Sequence, residues 1–133
     1  MTAEDKYGYW LDIAEYDLGA AGAMYDSGRW LYVLVMCQQA VEKLVKGLYT
    51  LYLNDDVPRT HNIKILLGRF EGMLPVSVPP EMHTFFDELS QYYLSNRYPE
   101  FISKLSLLVT ESDAESTLSK AKEAFLWLLT LKP

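Results

Sequence analysis

The chain has 133 residues, half of them hydrophobic, a formal net charge of −6 and one cysteine. That length and composition suffice for one domain, 1–133, with a core that needs no disulfide or metal staple. The acid excess argues against a protein that tracks many duplex phosphates, so duplex DNA is not an expected partner. No run of about 18 uncharged apolar residues appears, so no membrane span is expected. Cys37 alone cannot form an internal disulfide and fits a reducing, cytoplasmic setting. The stretch from Met1 to Lys6 has two acids and a lysine before any apolar run, which does not read as a signal peptide. Ten Tyr and three Trp make the chain rich in aromatics. Such residues are enriched at interfaces, so a second chain is expected.

A first helix is predicted from about Thr2 to Tyr25. Thr2 serves as N-cap, and Glu4 and Asp5 lie in the first turn, where the helix dipole favours acids. Trp10, Ala14, Leu18, Ala21 and Tyr25 form its apolar stripe, with Asp17 beside it. An edge carboxylate there is expected to pair with a nearby Lys or Arg. Asp26-Ser27-Gly28 stops the helix.

A second helix is predicted from about Arg29 to Leu53. Its first half, Trp30 to Cys37, is apolar all round and so is expected to be buried on every side, in part by a partner subunit. In its second half, Cys37, Val41, Leu44 and Leu48 form one stripe, and Gln39, Glu42, Lys43 and Lys46 the opposite one. The spacing is compatible with a solvated face carrying an ordinary Glu42–Lys46 pair, worth a few tenths of a kcal/mol. By spacing alone the solvated face is the favoured reading, and a polar site is the alternative.

Asn54 to Pro58 reads as a loop. A short helix follows from about Asn62 to Phe70, with Thr60-His61-Asn62 at its start. Gly72 to Pro80 reads as an irregular connection. A fourth helix begins near Pro80-Glu81, with Pro in the favoured first turn. Met82, Phe86, Leu89 and Tyr93 line one side of it, and His83 is expected at its surface. It should end before Ser95-Asn96-Arg97-Tyr98-Pro99, because Pro99 disfavours helix at Tyr98. Arg97 can then hydrogen-bond the helix's last carbonyls, or present its fork to an anion. Glu100 to Thr110 reads as a loop or helical turn; no second strand candidate exists to pair with it. A last helix is predicted from Ser112, with Glu115 completing a capping box. Leu118, Ala121, Phe125 and Leu129 form its stripe, and Phe125 to Leu129 is apolar all round. The expected fold is all-α, an antiparallel up-and-down bundle of about five helices.

Enzymatic motifs are sparse. His61 and His83 are the only histidines, and no cluster has metal-ligand spacing, so no metal or other cofactor is expected. There is no glycine-rich phosphate loop and no nucleophile elbow, and Cys37 has no histidine nearby in sequence.

Four pieces in order resemble a known family: Ala14-x-x-Asp17-Leu18-x-x-Ala21, then Gln38-Gln39-Ala40-Val41-Glu42-Lys43-x-x-Lys46, then Thr60-His61-Asn62-Ile63, then Tyr92 followed by Arg97-Tyr98-Pro99. Over about Trp10 to Phe125 the set is similar to the HEPN domain (higher eukaryotes and prokaryotes nucleotide-binding). The resemblance implies an all-α bundle and a homodimer. It also implies a prokaryotic toxin–antitoxin-like setting beside a minimal nucleotidyltransferase. Many members are metal-independent ribonucleases, whose signature is an Arg followed, after four to six residues, by a His. Arg97 matches the arginine, but Ile102, Ser103 and Lys104 stand where the histidine would fall. Lysine is protonated at neutral pH and makes a poor base. The expectation is therefore a nucleotide- or RNA-phosphate-binding protein that does not cleave its ligand. Lys43, Lys46, His61 and Arg97 would contact phosphate, and Asp17 and Glu42 would orient them. A ribonuclease toxin using Arg97 is the first alternative. A purely structural partner-binding module, with Lys43, Lys46 and Arg97 pointing apart, is the second.

Overall fold

The computed structural model describes residues 1–93 and 99–133, with side chains from residue 102 onward in the second stretch. Six α-helices follow in order: α1 (Ala3–Asp26), α2 (Trp30–Leu53), α3 (Ile63–Gly68), α4 (Pro80–Ser90), α5 (Pro99–Leu108) and α6 (Glu111–Leu129). A single 3₁₀ turn, Glu71–Met73, separates α3 from α4, and no strand occurs among the described residues. The bundle is all-α, as the periodicity indicates.

Local chemistry sets the ends of these helices. At α1 the Asp5 amide donates to the Thr2 hydroxyl and the Thr2 amide donates to the Asp5 carboxylate, both at 3.0 Å. This reciprocal box satisfies two of the orphan donors of the first turn. Gly28, at φ +74°, provides the left-handed turn into α2. Asn54, also left-handed at φ 46°, ends α2. At α3 the Ile65 amide donates to the Asn62 side chain at 3.1 Å.

The second helix lies at the centre and packs against all five other α-helices. Leu34, Cys37, Val41, Leu44, Val45 and Leu48 are all shut off from solvent. The all-round apolar segment Trp30 to Cys37 is covered largely by the chain's own helices, with Tyr32 its exposed exception. Its composition therefore does not require a partner subunit. At the end of α6, Phe125 and Leu128 are buried, whereas Leu126 is exposed.

Three sequence expectations change. Residues 99–108 form a helix rather than a loop or turn, which makes six α-helices among the described residues rather than about five. The segment begins at proline, which favours a first helical position. Ile102 and Leu105 are half-buried on one face and Val109 is buried just beyond, while Leu107 and Leu108 point outward. The helical spacing of the inward residues is hidden in the sequence by those two exposed leucines. The last helix starts two residues earlier than expected: Thr110 is the N-cap, with Asp113 rather than Glu115 closing the box. Both pairs fit the same spacing, and Val109, buried next to Thr110, anchors the earlier one. Finally, His83 is half-buried rather than a plain surface residue, with Nε2 2.6 Å from Glu71 of the 3₁₀ turn.

Candidate functional site

The polar face of α2 is not a solvated surface. Glu42 is 1% exposed and lies between α1 and the loop that precedes α3. An ionised carboxylate so buried needs donors, and the fold supplies three. Gln38 Nε2 donates to it at 2.7 Å and Lys46 Nζ at 2.8 Å, both from one turn away on α2. His61 Nδ1 approaches both its oxygens, at 3.1 and 3.2 Å. Gln38 is fully buried and in turn accepts from Gln39 at 3.2 Å.

The antiparallel α1 closes the other flank. Lys43 Nζ donates to Asp17 at 2.6 Å, and Lys46 Nζ stands 5.5 Å from the centre of the Trp10 ring, a cation–π contact. Trp10 and Asp17 are seven residues apart, which places them on one side of α1 two turns apart. Next to Lys46 on α2, Gly47 lets Tyr7 and Trp10 approach closely. A Cβ there would lie 3.1 Å from Trp10 Cβ and 3.2 Å from Tyr7 Cδ2. The tight α1–α2 seam therefore sets where Lys46 and Glu42 sit.

On the open side, His61 is stacked on Tyr93, with ring centres 3.7 Å apart and planes 11° from parallel. The side chain of His61 is 44% exposed, against 2% for that of Glu42. A carboxylate held at Nδ1 orients an imidazole so that Nε2 lies on the opposite edge of the ring. With His61 neutral, Asp17, Glu42, Lys43 and Lys46 sum to zero formal charge. The lysines are thus already matched by internal carboxylates.

The sequence-predicted residues Asp17, Glu42, Lys43, Lys46 and His61 are brought into this one region. Arg97 lies outside the described residues, and of the Arg97-Tyr98-Pro99 turn only Pro99 is described, as the first residue of α5. Gln38, Trp10 and Tyr93 join the cluster without having been singled out for it. Gln38 carries a usable signal, its i,i+4 spacing to Glu42; the His61–Tyr93 contact joins residues on either side of α3 and α4 and has none. Lys104, at a position where the family's histidine would stand, is exposed on α5. Cys37 is no nucleophile here: burial pushes its thiol up to about 12, with only partial compensation from Lys122. No helix among the described residues is long and apolar enough to cross a membrane.

Comparison with known proteins identifies the family and the fold. The HEPN domain family model matches residues 7–131. The structure of TT1696 from Thermus thermophilus is similar at a TM-score of 0.78 and 25% identity, covering 94% of this chain and 97% of that one. ST0689, described as an archaeal HEPN homologue, is similar in fold at a TM-score of 0.74 and 24% identity, covering 96% and 98%. No curated protein sequence matches the chain. With the family model spanning nearly its whole length, the chain belongs to the HEPN domain family.

Proposed function

We propose that this HEPN chain, as a single helical domain, binds a nucleotide or RNA phosphate at the His61 edge of the cluster without breaking a bond. The observation that carries this reading is the half-exposed imidazole of His61, held at Nδ1 by the buried Glu42 and stacked on Tyr93. A solvated helix face has no need of such an arrangement. Tyr93 and His61 offer ring faces of the kind on which bases stack. Lys43, Lys46 and Arg97 are the further phosphate contacts, and Asp17 and Glu42 the orienting groups. Calorimetric titration with ATP, AMP and a short single-stranded RNA tests the reading. Binding should weaken at least about tenfold in His61→Ala, a loss near 1.4 kcal/mol. Absence of heat with all three ligands would sink the proposal.

A second reading is favoured by the same pair. A carboxylate–imidazole dyad is also the arrangement of a general base. Under this reading His61 takes the role left vacant at Ile102, Ser103 and Lys104, and the chain is a metal-independent ribonuclease. It predicts RNA cleavage in EDTA that both His61→Ala and Arg97→Ala abolish; intact RNA after long incubation counts against it.

The proposal includes a homodimer and a minimal nucleotidyltransferase partner. Support for the dimer now rests on outward-facing apolar residues, Tyr9 and Tyr16 on α1 and Leu126 on α6, rather than on Trp30 to Cys37. Light scattering of a monomer at micromolar concentration would remove it.

A further inference from the structure

We propose that the groove between α4 and α6 docks a basic amphipathic helix of a partner protein. This site lies apart from the Glu42 cluster and does not depend on nucleotide binding there. Both helices rest on α2, yet they hardly touch one another. Between them runs a cavity of about 360 Å³, which continues into a second of about 300 Å³. The two share Phe85, Glu88 and Lys120, so they form one trough.

The trough has an apolar floor and an acidic rim. Leu34, Phe85, Leu89 and Ala124 form the floor. These four are shut off from solvent, so the apolar surface open to an occupant comes from half-buried Met82 and Tyr92 beside them. Glu81 and Glu88 rise from α4, and Glu123 and Asp113 from α6, with Lys120 the one cation among them. All five are exposed, and among the described residues no ion pair joins Lys120 to any of the four acids. Three carboxylates remain in excess over an apolar strip.

That chemistry selects the occupant. A nucleic acid is repelled by the rim. A second copy brings the same surplus of 18 acids over 12 Lys and Arg. A small polyamine would satisfy the rim but has no use for the floor. A helix with apolar residues at i, i+3, i+4 and i+7, flanked by Lys or Arg, satisfies both. The 11 residues of α4 make a wall about 16 Å long, enough for about three turns of such a helix.

A fluorescein-labelled peptide of about 12 residues, with Leu at those positions and Lys elsewhere, is the probe, read by anisotropy. It should bind the full chain, and less tightly as salt is raised. Reversing the rim with Glu88→Lys and Glu123→Lys, both exposed and so neutral to folding by circular dichroism, should weaken it at least about tenfold. The matched reversal Asp12→Lys and Glu15→Lys, on the exposed face of α1, should leave it unchanged. A peptide with Glu in place of Lys should bind only the rim-reversed variant. Four results would overturn the proposal: no binding at millimolar peptide, equal loss in both reversed variants, equal binding of a scrambled Lys/Leu peptide without an apolar face, or self-association of the chain that the rim reversal abolishes.

Discussion

Replacing Glu42 by alanine tests whether the polar centre of α2 is a built site. Three donors lose their acceptor, and they are not equivalent. Gln38 is fully buried, so its stranded amide costs about 1–3 kcal/mol. The side chain of Lys46 is 11% exposed. Its charge loses a buried partner but keeps the Trp10 ring and some water, for which about 1–2 kcal/mol is reasonable. His61, 44% exposed, rehydrates at little cost. Glu42→Ala should therefore destabilise the fold by about 2–5 kcal/mol, overlapping the range for breaking one side of a buried pair. Urea unfolding followed by helical circular dichroism reads this as a midpoint lowered by about 2 M, for a slope near 2 kcal/mol per M. Two further variants separate the causes. Glu42→Gln, which keeps the shape and one acceptor, should lose about half as much. Glu42→Leu combined with Lys46→Met removes both charges and should recover the Lys46 share, about 1–2 kcal/mol, leaving the buried Gln38 amide unsatisfied. A midpoint shift under about 0.5 M in Glu42→Ala would refute the reasoning, because it would mean that water already serves those donors.

The α1–α2 seam predicts opposite outcomes for two glycines. In Gly47→Ala the new methyl meets Trp10 and Tyr7, and overpacking should outweigh the helix-propensity gain, for a net loss near 1 kcal/mol. Gly19→Ala, with nothing within 4 Å of its Cβ, should gain about 0.5–1 kcal/mol in the same urea assay. With its thiol pushed up to about 12, Cys37 should be about one part in ten thousand thiolate at pH 8 and react with dithionitrobenzoate only after unfolding. The sign of its pH linkage follows. The folded state keeps a proton that the unfolded thiol releases above its ordinary 9.0, so this contribution is full below pH 9 and declines as pH rises toward 12. At α6, Thr110→Ala should cost about 1 kcal/mol and Ser112→Ala close to none, read as thermal midpoints.

Helix positions, the all-α class and the buried stripe of α2 were legible in the sequence because they follow from local periodicity and capping. Thr2, Gly28, Asn62 and Pro80 mark ends that the backbone respects for reasons confined to a few neighbouring residues. The helix at 99–108 escaped notice because Leu107 and Leu108 are apolar yet exposed, and an apolar run loses its period when outward positions are not polar. The environment of Glu42 was decided only by tertiary structure. Position 42 lies opposite an apolar stripe, and sequence spacing alone treats that side as facing water. It is buried because α1 lays Trp10 and Asp17 along one flank while the loop before α3 swings His61 over the other. Those contacts join residues 19 to 36 positions apart. Their pairing depends on how the helices cross, which no local pattern encodes. The residue types of the cluster were therefore visible from the chain, while its burial, its internal charge balance and the Tyr93 stack emerge only when the bundle closes.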